Sequence, residues 1–416
     1  MKKIIPIFLL IMLTTSFLYG GGFQINEHGA RGMSLAGAFT AIANDPSAIY
    51  YNPAGLYQIS GTRFYTGVTL IQPKASFRGP SPSITETKLE DQIFNPINFY
   101  VTHQVNSDLG IGIGVNNQYG LGTKWDPDWV GRYLAIETEI RTFFFTPTIS
   151  YKVSDNFAIG AGLVFAYGDV LIMRKNSLEP FAGDAEIELE GDGTAWGFTL
   201  GILFTPFDDL SLGFSYRSET NFDFEGDAKA AAPPQFSQLL PTGKIAAPLT
   251  TPQNITLGLA YFATEQLTVS ADLQFVGWSS YDKLEVTFND VKDASGDKFV
   301  STSVRNYNNT YIARFGAEYK FNDVLDLRYG LLYDKNPVDD EKVDPTLPDS
   351  DRLGFNFGFG YKITSKLSLD VAYMFLRFNE REIDNSEIEY TQGSAKFNGV
   401  YNSYAHLLGI NLSYEL

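Results

Sequence analysis

The 416-residue sequence predicts an all-β fold: a fourteen-stranded antiparallel transmembrane β-barrel with a small helical hatch at its N-terminus. Three observations lead there. They are an N-terminal export signal, a period-2 alternation of apolar and polar residues along most of the chain, and a regular exchange of tight turns with long loops.

The signal comes first in the chain. Lys2 and Lys3 precede an apolar run from Ile4 to Leu13, and small residues follow at Gly20 to Gly22. This is the pattern of a secretory signal peptide, residues 1–20, cleaved after Gly20. Beyond it no segment reaches the ~20 apolar residues that a membrane-spanning helix needs. Any crossing of a membrane then falls to strands.

The strands show themselves by alternation. Leu353, Phe355, Phe357, Phe359 and Tyr361 alternate with Gly354, Asn356, Gly358 and Gly360, and Tyr404 to Leu416 repeats the pattern at the C-terminus. One face is apolar and aromatic, the other small and polar, as a wall between lipid and a wet lumen requires. Tight polar turns occur near residues 105–109, 153–156, 206–209, 263–266, 321–324 and 364–366. Longer loops lie near 77–95, 119–136, 175–185, 225–250, 289–307, 335–350 and 380–399. Six turns and seven loops join fourteen strands, with both chain ends on the short-turn, periplasmic rim. A secreted β-sandwich also alternates, but it lacks this rhythm and these long strands.

Ahead of the barrel, residues 21–60 read differently. Asp45-Pro46 and Asn52-Pro53 are helix-start signals seven residues apart, with Asn52 as N-cap and Pro53 at the first helical position. Helices this short do not stand alone in water. They need a surrounding wall, and the barrel lumen (residues 61–416) offers one. Asn52, Pro53 and Ala54 are therefore read as structural.

Composition excludes several chemistries. With 0 Cys there are no disulfides or thiolates, and a net charge of −17 argues against a nucleic-acid partner. The three histidines, His28, His103 and His406, have neither triad nor metal-ligand spacing. No catalytic activity, metal or cofactor is expected.

The stretch from Gly22 to Leu56, "GFQINEHGARGMSLAGAFTAIANDPSAIYYNPAGL", resembles the hatch of the FadL-type outer-membrane transporters for long-chain fatty acids and hydrocarbons. Further matches are "DWVGRYLAIETEIRT" (Asp128 to Thr142), "GWSSYDKL" (Gly277 to Leu284) and "PDSDR" (Pro348 to Arg352). The resemblance implies a plugged fourteen-stranded barrel, monomeric and set among outer-membrane lipid and lipopolysaccharide. It implies passive capture of a long-chain fatty acid or other hydrophobic molecule by outer loops, binding in the lumen, and lateral exit through a kink in the third strand.

Site expectations follow. The hatch residues are Phe23, Asn26, Glu27, Asn52, Pro53 and Ala54, with Phe23 reaching the substrate pocket by resemblance. Gly110, Gly112 and Gly114 share one face of the third strand and mark either a lateral opening or room for the plug. Asn116 and Asn117, just beyond, depart from the apolar lining expected at a hydrocarbon exit. Arg174 matches a basic residue that meets a carboxylate in fatty-acid-binding members, while Asn308 and Asn309 stand where a second base is expected. Phe236, Leu239 and Leu240 form an apolar capture surface on the 230–249 loop. The rival reading is a general diffusion porin, which has no use for a helical block or an apolar loop.

Overall fold

The computed structural model describes residues 21–180, 182–236, 240–390 and 396–416; the expected signal peptide lies outside the described residues. Strands account for most of the chain and close on themselves. In chain order they are β1 (Thr62–Arg78), β2 (Ile97–Gln104), β3 (Leu109–Asn116, resuming at Gly120–Lys124), β4 (Glu137–Ser154) and β5 (Phe157–Ser177). Then come β6 (Asp184–Phe207), β7 (Leu210–Arg217 and Thr220–Ala231), β8 (Asn254–Phe262, preceded by Gly243–Thr251) and β9 (Leu267–Val276 and Lys283–Lys292). The circuit ends with β10 (Lys298–Val304 and Thr310–Lys320), β11 (Leu325–Asp334), β12 (Arg352–Lys362), β13 (Leu367–Phe378, with Arg381–Ile383) and β14 (Gly399–Glu415). These make a closed fourteen-stranded antiparallel barrel. Closure is by β1 on β14, in unbroken register from Arg63↔Glu415 to Arg78↔Val400. No free sheet edge remains at that seam.

The alternation is resolved as expected. Leu353, Phe355, Phe357, Phe359 and Tyr361 point outward and are exposed, while Asn356 is buried on the lumen side. Likewise Leu408, Ile410, Leu412 and Tyr414 face out and Asn411 faces in. Exposed aromatic and aliphatic side chains are satisfied by lipid, so this belt defines the membrane-facing surface.

Two long loops are shorter than the sequence suggested. The 225–250 region continues as a hairpin, with strand to Ala231 and again from Gly243, and the 289–307 region carries strand over Lys298–Val304. The outer face there is polar, Asp223, Glu225, Asp227 and Lys229 among them, while Phe222, Phe224, Ala228, Ile245 and Leu249 turn inward, so the strands rise above the lipid belt with their apolar side toward the lumen.

The hatch sits inside the lumen, packed against the inner faces of the strands. It contains α1 (Ala30–Ser34), α2 (Ala48–Tyr51) and a 3-10 turn (Pro53–Gln58). Asn52 caps that turn, its Oδ1 accepting from Ala54 N–H at 3.1 Å, while its Nδ2 donates to the carbonyls of Thr40 at 2.8 Å and Ile202 at 3.0 Å. One side chain thus caps the turn, braces the hatch and fastens it to β6. Pro53 sits at the first position, where its missing N–H has no partner to lose.

Close approach between hatch and wall depends on inward glycines. A Cβ on Gly160 would lie 2.3 Å from the Pro53 carbonyl carbon, and one on Gly201 would lie 2.2 Å from Asn52 Oδ1. Charge completes the seat. Arg31 reaches Glu318 on β10 through two bonds of 2.9 Å, and Glu318 also accepts from Arg328 Nε at 2.6 Å. A planar fork on a carboxylate is directional as well as strong, so α1 is held in one orientation.

Candidate functional site: a divided cavity in the lumen

Above the hatch the lumen holds two cavities. The outer one, about 520 Å³, is lined by Leu134, Ile140, Val170, Arg174, Phe224 and Tyr281 among others. The inner one, about 790 Å³, lies against the hatch and is lined by Ile71, Phe94, Leu121, Ile312, Leu332 and Leu347, with Asn26, Glu27, Arg314 and Arg352 on its polar side. Phe23 lines both. Both volumes fall in the range of small-molecule sites, roughly 300–1,000 Å³.

Phe23 is held as a partition by other rings. It is 4% exposed and packs edge-on against Trp278 at 4.9 Å, Tyr281 at 5.6 Å and Tyr119 at 5.9 Å between centroids. Trp278 and Tyr281 belong to the "GWSSYDKL" stretch, so that motif forms the socket of the N-terminal segment. The "PDSDR" stretch supplies its tether: Gly22 N–H donates to Asp349 Oδ2 at 2.7 Å, and Arg352 Nη2 donates to the Gly22 carbonyl at 2.7 Å. Gly22 has φ +76°, and a Cβ there would lie 2.3 Å from the Trp278 ring, so only glycine passes.

Further along, residues 23–25 dock on β3 where that strand is broken. Ile25 N–H donates to the Gln118 carbonyl at 2.9 Å, and Gly120 N–H donates to the Phe23 carbonyl at 3.0 Å. The break falls at Asn117–Tyr119, three residues beyond the glycines the sequence singled out. Gly110, Gly112 and Gly114 instead make room for the hatch and wall: added Cβ atoms would meet Leu56, Val101 with Ile49, and Tyr100. Asn117 is the splice, its Oδ1 accepting from Ile97 N–H at 2.7 Å and its Nδ2 donating to the Thr142 carbonyl at 2.5 Å. That accounts for a polar residue at this point of the wall.

The strand ladder of the wall is interrupted next to this break. β2 pairs with β1 only as far as Ile97↔Val68, and the outer piece of β3, Gly120–Lys124, pairs with β4 alone. Between β1 and Gly120–Lys124 the barrel is closed by residues 89–96, through the isolated Ile71↔Phe94 bridge, single bonds from Leu89 and Glu90, and a bond from Thr69 N–H to the Pro96 carbonyl. Ile93 and Ile97, 65% and 44% exposed, line the inner cavity here, so it reaches the outer surface. The Phe94 ring lies over Gly122, where a Cβ would sit 1.9 Å from it.

The remaining expected residues fall as follows. Arg174 lines the outer cavity, and its Nε has no acceptor. Asn308 donates to Asp339 Oδ1 at 2.9 Å and Asn309 accepts from Ser279 N–H at 2.9 Å, so both tie loops together. Phe236 and Leu240 are half-buried at the hairpin tip and line neither cavity; Leu239 lies outside the described residues. Glu27, on the hatch, has its carboxyl pushed above the usual range by burial, an effect partly countered by the Asn26 N–H and by the charges of Arg314 and Arg352. His28 is 2% exposed with Nε2 2.8 Å from the Ile25 carbonyl, and burial with the nearby Arg217 charge pushes it down to about 3. Among the described residues no cluster of His, Asp and Glu is arranged to hold a metal ion.

A closed barrel with an apolar outer belt, a seated hatch and a divided lumen cavity defines a plugged outer-membrane channel protein. The chain belongs to the family described as outer membrane protein transport protein (OMPP1/FadL/TodX), whose model matches residues 11–416. It is 24% identical over 447 residues to the long-chain fatty acid transport protein of Escherichia coli O6:H1, covering 97% of this chain and 96% of that one. It is 25% identical over 464 residues to outer membrane protein P1 of Haemophilus influenzae, covering 97% and 98%. In fold it is similar to a FadL homologue of Pseudomonas aeruginosa (TM-score 0.84, 22% identity, 95% and 100% covered) and to the Pseudomonas putida toluene transporter TodX (TM-score 0.75, 19% identity, 96% and 99% covered). Family and fold place the protein in the bacterial outer membrane.

Proposed function

We propose that this protein carries hydrophobic molecules, long-chain fatty acids or hydrocarbons, passively across the outer membrane. The route runs from the outer cavity past Phe23 into the inner cavity, and then sideways into the membrane between β1 and the outer piece of β3. One observation carries this reading: the inner cavity is apolar, lies directly beneath Phe23, and reaches the surface where the wall lacks a continuous strand ladder. An apolar solute leaving there enters lipid without crossing water, so its own transfer free energy drives the step. The hatch blocks the straight path to the periplasm, which a general porin leaves open.

The protein acts as a monomer, its polar outer rim against lipopolysaccharide, without catalysis, metal or cofactor. The test joins two measurements on one preparation. Purified protein is titrated with laurate, and the same protein in liposomes is assayed for arabinose-driven swelling. The proposal expects saturable laurate binding and slow swelling. Rapid swelling without laurate binding would replace it with the porin reading.

A further inference from the structure

Most lumen guanidinium groups are spoken for. Arg31 and Arg328 meet Glu318, and Arg352 meets Asp349 at 2.7 Å. Arg314 is different. It projects inward from β10, is 7% exposed, and lines the inner cavity, yet no hydrogen bond or ion pair reaches it among the described residues, and its Nε has no acceptor. Three carboxyls surround it, Glu27, Asp272 and Asp334, and each has another partner. Asp272 Oδ2 accepts from Phe39 and Thr40 N–H at 3.2 and 3.0 Å. Asp334 lies 3.7 Å from Arg352, and Glu27 Oε2 accepts from Asn26 N–H at 3.0 Å.

The nearby carboxyls act on Arg314 through their charge, but its buried Nε has no acceptor, and a ligand oxygen that supplies one relieves the desolvation cost. The guanidinium fork matches a carboxylate in two parallel bonds. Beside Arg314 the cavity is walled by Ile312, Leu332, Leu347 and Leu121 and runs to Phe94 at the wall gap. This is a cationic end and an apolar groove, the two parts of an amphiphilic acid.

Resting on the transport reading above, we propose that Arg314 is a second carboxylate station, distinct from Arg174. It holds the head group of a long-chain acid in the inner cavity after the acid has passed Phe23, with the tail along the apolar wall toward the gap between β1 and β3. The acid is handed from one unpaired arginine to the next, and its tail meets lipid first. A neutral hydrocarbon uses the same groove without either arginine.

The test is calorimetric titration of purified full-length mature protein, wild type and Arg314→Gln, with laurate and with dodecan-1-ol, the same chain without the charge. Heat-modifiable mobility on a gel reports barrel assembly. The proposal expects two laurate sites in the wild type, of which Arg314→Gln weakens one by about 10- to 100-fold, as loss of a charge-assisted bond implies. Dodecan-1-ol binding stays unchanged, and Arg314→Lys restores part of the laurate affinity. Unchanged laurate binding in Arg314→Gln, or an equal loss for laurate and dodecan-1-ol, would overturn it. If the wild type binds dodecan-1-ol but only a single laurate, lost on Arg174→Gln, the second station fails while the transport reading stands. If the wild type binds neither, both fall.

Discussion

Arg352 and Gly22, 330 positions apart in sequence, are joined by a 2.7 Å hydrogen bond from the Arg352 guanidinium to the Gly22 carbonyl. Asp349 closes the other side by accepting the Gly22 N–H and bonding Arg352 at 2.7 Å. The segment that carries Phe23 is therefore held by a buried ion pair of the barrel wall, together with the Trp278 and Tyr281 rings and the backbone of β3. Asp349→Ala leaves Arg352 only the longer 3.7 Å contact with Asp334 and removes the acceptor of the Gly22 N–H, at a cost of about 1–3 kcal/mol for a buried group left without its partner. The expected outcome is faster amide hydrogen exchange over residues 22–27 with the strands unchanged, measured by mass spectrometry.

Phe23→Ala removes the partition. Truncating a buried phenylalanine costs about 3–5 kcal/mol in packing, and here it also merges the two cavities. We expect laurate exchange to speed up and equilibrium affinity to fall, read by stopped-flow quenching of tryptophan fluorescence with Trp278 as the reporter. Unchanged exchange would mean that the ring plays no part in passage.

The inward glycines give a steric prediction. Gly160→Val places a side chain where the Pro53 carbonyl now lies. The barrel, whose strand ladder is untouched, should still assemble, while the 3-10 turn is displaced. The expected result is normal heat-modifiable mobility with protease cleavage inside residues 30–58 and a larger single-channel conductance.

Acid should loosen the hatch through His28. Its docked form resists protonation down to about 3, whereas the released side chain protonates near 6.5. Seating is then favoured above about 6.5 and lost progressively as pH falls toward 3, by on the order of a few kcal/mol. Glu27 and Asp45, pushed up by burial, act in the opposite sense, holding their protons when docked and so favouring seating as pH falls. Comparison with His28→Gln isolates the histidine. Hydrogen exchange in the hatch between pH 7 and pH 4 should rise more in the wild type than in the variant.

Much of the fold was legible because a lipid-facing wall forces a strict period of two, which Leu353 to Tyr361 displays without exception. The Asn52-Pro53 turn was legible because capping is local chemistry. The hairpin over 225–250 was not, since its apolar residues, Ala228, Ile245 and Leu249, face the lumen and are interspersed with glycine, proline and charge, unlike the outward lipid-facing pattern. The site was harder still. Gly110 to Gly114 suggested a bend, but the break at Asn117 depends on where β2 stops and where residues 23–25 dock, and both are long-range facts. "PDSDR" and "GWSSYDKL" stood out as motifs, yet their common partner, the segment at Gly22 and Phe23, is hundreds of residues away. Arg314 lay in an ordinary alternating strand, with nothing local to show that it lacks a partner.

The path itself is tested most directly by photo-crosslinking with a diazirine-bearing fatty acid, the adducts being mapped by mass spectrometry with and without excess laurate. A passage beneath Phe23 and out between β1 and β3 predicts laurate-competed adducts at Leu121, Phe94 and Ile97. Adducts confined to the 232–242 hairpin tip, or adducts at the wall gap that laurate does not displace, would contradict it.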